Sequence, residues 1–345
     1  MPPSDHRLNR LSGCLLGTAL GDSLGLPWEG LASGKIAKKL GVGPLGHRFL
    51  FRRGMVSDDT EHTLFVAQAL LRAGDDPDLF QRLLARSLKG WLMTAPAGIG
   101  LATLRSCAKL LVGVHPSKSG VNSAGNGPSM RSAIIGAYFA NDLDQTIAFC
   151  DRSSVITHTD ERAIVGARIV AIAAQSATLQ LDANQFFEQV LVISQACRDW
   201  LEMIEKLHLA LDDRITVREF AESIGVRDRV SGYVMQSVPV AIYIWLSGRK
   251  NFMSSIDSAI RLGGDTDTVA AIVGALCGIE VGGSELPDQL LEGMWEWPRG
   301  VAYMRELAKQ MNLNGAPPQY KWPMILPRNL IFTSTVLYHG FKRLF

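Results

Sequence analysis

Apolar residues recur at helical spacing along most of this chain, while runs alternating with period two are few. Residues 63–72 (TLFVAQALLR), 130–140 and 161–177 each place their apolar positions on one helical face. Residues 183–211 fit one long helix or two abutting ones. Thr216-Val-Arg-Glu219 reads as a capping box opening a short helix that ends at Gly225. The pattern resumes over 231–246, where Pro239 predicts a kink, and again over 266–277 and 287–295. No Asn-Gly hairpin joins β-branched runs. The predicted class is all-α, a compact single helical domain over residues 1–345. A Pro-rich segment, 314–327, should run extended over the surface, and the apolar stretch 330–345 reads as a terminal helix, docked in preference to the alternative of an exposed, partner-binding one.

Composition narrows the picture. Of 345 residues, 47% are hydrophobic and 20% charged, enough apolar material for a sizeable core and too much for wholesale disorder. The net charge is +2, with 35 basic and 33 acidic residues and no Lys/Arg block, so nucleic acid is not an expected partner. Five cysteines (14, 107, 150, 197 and 277) lie far apart without a CxxC pair. That spacing argues against a zinc site or a disulfide framework and for buried thiols in a reducing compartment. The apolar run 11–20, preceded by His6, Arg7 and Arg10, imitates a secretory signal, but it is short, broken by glycine and continues into Gly21-Asp22. No stretch reaches the roughly 18 consecutive apolar residues of a membrane span. A cytoplasmic protein with no membrane partner is expected.

Candidate chemistry concentrates at helix openings. Ser57-Asp58-Asp59-Thr60 precedes an apolar helix; taken alone, adjacent aspartates there are ordinary caps at the positive end of a helix dipole. Gly263-Gly264-Asp265-Thr266-Asp267-Thr268 is a second acidic, Gly-rich turn in front of another apolar helix. Together the two loops offer four carboxylates and flanking hydroxyls, an oxygen-only set suited to Mg²⁺ or Mn²⁺. Brought face to face, the carboxylates would repel unless cations neutralised them. A third loop, Ser123-Ala-Gly-Asn-Gly-Pro-Ser-Met-Arg131, has the turn chemistry to present backbone amides to a phosphate but matches neither a Walker loop nor a dinucleotide fingerprint. His158 opens a further helix, where a histidine serves either structure or ligand contact.

In this order, these pieces resemble the ADP-ribosylglycohydrolase family, typified by the hydrolase that reactivates ADP-ribosylated dinitrogen reductase. The resemblance rests on five stretches within residues 11–282: Gly17-Thr-Ala-Leu-Gly-Asp-Ser-Leu-Gly-Leu-Pro-Trp-Glu29, Ser57-Asp-Asp-Thr60, Gly125-Asn-Gly-Pro-Ser-Met-Arg131, Thr157-His158 and Leu262-Gly-Gly-Asp-Thr-Asp-Thr268. It implies an all-α fold with a central metal cleft holding two divalent cations, Mg²⁺ or Mn²⁺. The implied ligands are Ser57, Asp58, Asp59, Asp265, Asp267 and Thr268. The implied catalytic residues are Glu29, Asp58, Asp59 and Asp267, with Glu29 taking a gating or acid–base share. Gly125, Asn126, Gly127, Ser129, Met130, His158 and, less directly, Tyr233 are the implied substrate contacts.

The implied activity is removal of ADP-ribose from a modified protein by cleavage at C1 of the ribose, with an arginine linkage favoured. The alternative is an immunity or binding protein that neutralises an ADP-ribosylating toxin by blocking it, with or without hydrolysis. Ser57 stands where many relatives have Thr, and Pro128-Ser129 where small residues are frequent. The extension 312–345 lies past every motif. A glycosyltransferase reading of Asp-x-Asp requires an α/β nucleotide-binding domain, for which the strands are lacking.

Overall fold

Four glycines recur at every fourth residue of the N-terminal helix Pro3–Gly25: Gly13, Gly17, Gly21 and Gly25. That spacing keeps them on one face, which lies against the helix Thr266–Val281. The contact is backbone to backbone. A Cβ on Gly17 would stand 2.1 Å from the carbonyl oxygen of Gly274, and one on Gly274 would stand 2.2 Å from that of Gly17. Only residues without side chains permit this approach. At the cleft end of the seam, the Thr266 hydroxyl donates to the Gly25 carbonyl at 2.9 Å. The second acidic loop is thereby held next to the segment that carries Asp22.

The structure, a computed structural model, describes residues 3–342. Its eighteen α-helices and short 3₁₀ turns are joined, among the described residues, by isolated backbone bridges and no strand, as the periodicity predicts. The helices Glu161–Leu179 and Val234–Ser247 are largely buried beside the glycine seam. Amphipathic helices such as Pro77–Leu92 and Phe252–Arg261 close the outside. One apolar cluster runs from Leu11 to Met311 and contains all five cysteines, which are free and buried. Glu161–Leu179 is also long and apolar enough to cross a membrane, which the sequence reading did not anticipate. Because 72% of its most apolar window is buried among other helices, it is accounted for as a core helix.

Several boundaries differ from expectation for identifiable reasons. The helix expected over 63–72 runs Asp58–Ala73, because Thr60, Glu61 and His62 are buried polar residues rather than loop. Residues 183–211 form two abutting helices, Ala183–Ser194 and Arg198–Asp212. The Thr216 capping box closes with both reciprocal bonds. Residues 129–140 are not one helix but a tight turn, Ser129–Arg131, and the short helix Ala133–Tyr138, since the amides of Ser129 and Met130 both return to the Asn126 carbonyl. The helix expected over 287–295 spans only Asp288–Glu292, and Trp295 instead pairs with Gly54. Helix Val234–Ser247 continues through Pro239. In the Pro-rich segment, Pro327 falls in the first turn of the helix Ile325–Lys342, where its missing N–H costs nothing. That helix docks through Arg328, Asn329 and Phe332 and leaves Leu330, Leu337 and Phe341 exposed. Residues 343–345 of the expected terminal helix lie outside the described residues.

Candidate active site

The two acidic loops meet in a cleft of about 580 Å³ whose lining includes Glu29, Asp58, Asp59, Asp265, Asp267 and Thr268. Gly125, Asn126, Gly127, Met130 and His158 belong to the same lining. Ser57 caps its helix by accepting from the Asp59 amide at 3.2 Å, and its hydroxyl returns a bond to Asp59 Oδ2 at 3.0 Å. Thr268, from the other loop, also donates to Asp59 Oδ2, at 3.3 Å. The loops are therefore in direct contact through side chains 209 residues apart. Asp59 and Asp267 are buried, while Asp58 and Asp265 are half-buried at the cleft wall.

Glycine sets the second loop. Gly264 has φ +84°, and a Cβ there would stand 1.9 Å from the Val230 carbonyl oxygen. This backbone lets the Gly30 amide donate to the Gly264 carbonyl at 2.7 Å, and the Asp265 amide to Val230 at 2.8 Å. The Glu29 loop and the Asp265 loop are thus joined through their backbones.

Asp22, which had no assigned role in the sequence reading, organises the first loop. Its fully buried carboxylate accepts from the Ser57 amide at 2.9 Å, the Thr60 amide at 3.2 Å and the Thr60 hydroxyl at 2.5 Å. Burial pushes its pKa up to about 7 against these bonds, which favour the ionised form. Burial and then the charge of Asp22 hold the Asp58 and Asp59 carboxyls well above the usual range. Asp267 is raised well above it by burial and next by Glu29, and Asp265 is raised by burial. Only the surrounding apolar residues of 11–24 mark Asp22 in the sequence, as a charge where the pattern calls for core.

The site tests favourably for a cation. Asp59 Oδ1 and Asp267 Oδ1 are buried without a hydrogen-bond partner, an arrangement that is costly unless positive charge completes it. Among the described residues, no three His, Cys, Asp or Glu side chains are grouped so that they could hold a metal ion by themselves. A cation here would draw also on the Ser57 and Thr268 hydroxyls and on water, as Mg²⁺ sites commonly do.

Two amides of the Gly125–Gly127 loop are engaged within the protein. The Gly125 amide is taken by Ser123 Oγ at 3.3 Å and the Asn126 amide by the Gly232 carbonyl at 3.0 Å. The glycines also allow close packing, since a Cβ on Gly127 would meet the His158 ring at 2.9 Å. Asn126 turns its side chain to Asp265 Oδ2 at 2.6 Å, so it orients a carboxylate. Ser129 is fully buried and not part of the cleft lining. Tyr233 is exposed and, unlike its neighbour Gly232, is not part of the lining either; its hydroxyl accepts from Arg162 at 3.3 Å. His158 is buried and paired with the Thr157 hydroxyl at 2.9 Å; burial and then the Arg131 charge lower its pKa to about 3.

Arg131, quoted in a motif but given no role, is fully buried. It bonds the Gly127 carbonyl at 3.1 Å, Ser153 and the Thr157 hydroxyl at 2.8 Å. It locks the glycine loop to the His158 segment. A lone arginine entering an otherwise apolar stretch was its only sequence signal.

Comparison with known proteins agrees with this geometry. The family model described as ADP-ribosylglycohydrolase matches residues 3–319. The chicken (Gallus gallus) protein ADP-ribosylhydrolase ARH3 is 28% identical over 88% of this chain and 92% of its own. ADP-ribosylarginine hydrolase Tri1 of Serratia proteamaculans is 26% identical over 90% of this chain and 80% of its own. A solved structure titled "ADP-ribosylglycohydrolase-related protein complex" superposes with a TM-score of 0.63 at 25% identity, covering 90% of this chain and 99% of that one. With the acid-lined cleft assembled from the same five stretches, the chain belongs to the ADP-ribosylglycohydrolase family of enzymes.

Proposed function

We propose that this chain is a cytoplasmic hydrolase that removes ADP-ribose from modified proteins by cleaving the bond at C1 of the ribose, with an arginine linkage favoured and two divalent cations, Mg²⁺ or Mn²⁺, as cofactors. Ser57, Asp58, Asp59, Asp265, Asp267 and Thr268 are the proposed ligands. The observation that carries the reading is the meeting of two acidic helix openings, with Asp59 Oδ1 and Asp267 Oδ1 buried and unpaired between them. The arginine linkage draws support from the relative named as an ADP-ribosylarginine hydrolase.

When bound, the cations neutralise the acid cluster, orient ribose hydroxyls and activate water. The chain's own residues do the rest. Asp22 fixes the amides of Ser57 and Thr60 and so aims Asp58 and Asp59. Asn126 orients Asp265. Glu29, at the cleft edge and near enough to raise Asp267, is placed to take a proton from water or pass one to the leaving group. His158, neutral at physiological pH, and Met130 line the same cleft and are the proposed contacts for the diphosphate and ribose.

The test is release of ADP-ribose from arginine-ADP-ribosylated protein, with and without Mg²⁺ or Mn²⁺, beside Asp267→Ala. Metal-dependent release that disappears in the variant is expected. Undiminished turnover by Asp267→Ala would refute the ligand scheme, and release without added cation from chelator-treated protein would refute the metal requirement.

A further inference from the structure

The helix Ile325–Lys342 lies beyond the matched residues 3–319, yet its buried face grips both segments that lead into the cleft. Arg328 is 2% exposed. Its guanidinium forks onto Glu296, Nε to Oε1 at 2.9 Å and Nη2 to Oε2 at 2.8 Å, and Nη2 also donates to the Val56 carbonyl at 2.6 Å. Glu296 in turn accepts from the Val56 amide at 3.3 Å. Val56 is therefore held at both its N–H and its C=O, one residue before Ser57, whose own amide is bound to Asp22. Beside this clamp, Phe332 forms a small apolar cluster with Leu26, Phe49 and Met55, separate from the main core. Met55 precedes Val56, and Leu26 stands three residues before Glu29. A ring nitrogen of His339 lies 3.1 Å from the Pro27 carbonyl oxygen, a second tie to the Glu29 segment.

We propose that Arg328 is a positioning residue for the metal ligands: acting through Glu296 and the Val56 peptide, it fixes where Asp58 and Asp59 stand in the cleft. This rests on the hydrolase reading above. The physical reason for a charged pair here is geometric. A buried Arg–carboxylate pair gives little net stability over an apolar pair of similar volume, because both charges lose their water. What an apolar pair cannot supply is a donor and an acceptor at fixed separation for one peptide unit. The segment 56–60 is then fixed from two sides, by Asp22 of the N-terminal helix and by the C-terminal helix.

The experiment compares Arg328→Met, Arg328→Lys and the double variant Glu296→Gln/Arg328→Met with the parent full-length chain. Mn²⁺ binding is measured by calorimetry on the metal-free proteins, ADP-ribose binding at saturating Mn²⁺, and helix content by circular dichroism. The double variant leaves no unpaired buried charge and carries the test if Arg328→Met does not fold. Expected is native helix content with Mn²⁺ affinity lowered about tenfold or more, the scale seen when groups that orient ligands are removed. Partial recovery is expected with Arg328→Lys, which keeps the charge but not the fork. Folded Met variants that bind Mn²⁺ as the parent does, with only a lower melting temperature, would overturn the proposal. So would failure of both to fold, which would make Arg328 a requirement of stability. Failure of the parent itself to bind Mn²⁺ would instead refute the metal-hydrolase reading.

Discussion

The same substitution, glycine to alanine, should have opposite effects at two helical positions of this protein. At Gly274 the added Cβ would lie 2.2 Å from the Gly17 carbonyl oxygen and 3.0 Å from the Gly17 carbonyl carbon. A carbon normally approaches a carbonyl oxygen no closer than about 3.3 Å, so the two helices must separate locally by about 1 Å. Both partners are backbone, so no rotamer change can relieve the contact, and the neighbouring seam at Gly13–Gly278 and Gly21–Ala270 must open with it. Overpacking of this kind costs about 3 kcal/mol or more. In a chain of this length that corresponds to a fall of roughly 4 °C in melting temperature. At Gly90, an exposed position within the helix Pro77–Leu92, an added Cβ meets nothing within 4 Å. Alanine there should stabilise by about 0.5–1 kcal/mol through helix propensity and a less flexible unfolded chain. Urea unfolding followed by circular dichroism, on parent and both variants without metal, gives the comparison. A Gly274→Ala midpoint equal to or above that of the parent would refute the backbone seam as a structural requirement.

Two further predictions concern the acids and the histidine. Asp267 has a raised folded pKa, so its protonated form favours the fold below the ordinary carboxylate range and that stability is lost as pH rises through the raised value. Metal-free Asp267→Asn should therefore melt above the parent at about pH 8, and nearly with it at about pH 4, and Mg²⁺ should raise the parent far more than the variant; a variant that melts below the metal-free parent at the higher pH would sink the argument. His158 is held near pKa 3 and should stay neutral across physiological pH. An NMR titration of its ring between about pH 5 and 8 should be flat, and a midpoint near the usual histidine value of about 6.5 would show that the ring is more hydrated than its burial implies.

The helical class was readable because packing against a single core imposes period 3.6 on nearly every segment, and the acidic loops were readable because aspartate and hydroxyl residues crowd into four positions at 57–60 and, with glycine, into six at 263–268. What escaped the sequence shares a different property. Asp22 is tied to Ser57 and Thr60, which lie 35 and 38 residues away, and Arg328 to Val56, 272 residues away. Each is a single charge satisfied by a distant partner; the apolar run around Asp22 marks it as out of place but does not name that partner, and nothing local distinguishes Arg328 from a solvated surface residue. Helix Asp58–Ala73 was begun too late for the same reason. Glu61 looks like solvent-facing loop until Trp91, Arg299 and Arg328 are brought to it from elsewhere in the chain.

These distant ties bear on why the acids can be held together at all. Asp58 and Asp59 sit in the first turn of one helix and Asp267 in the first turn of another, so the positive ends of both dipoles face the cluster. Two helix ends supply roughly half a unit of charge each, which cannot offset Asp22, Asp58, Asp59, Asp265 and Asp267 together. Without cations the carboxylates would relax by swinging apart. The glycine seam, the Gly30–Gly264 and Asp265–Val230 backbone bonds and the three donors on Asp22 all act against that movement, and the pKa values of Asp59 and Asp267 are raised first by burial and then by the neighbouring acids so held. The frame therefore stores repulsion that cation binding can release. The same rigidity that destabilises the metal-free fold should sharpen its affinity for small, hard divalent ions, because the ligands need not be gathered when the ion arrives.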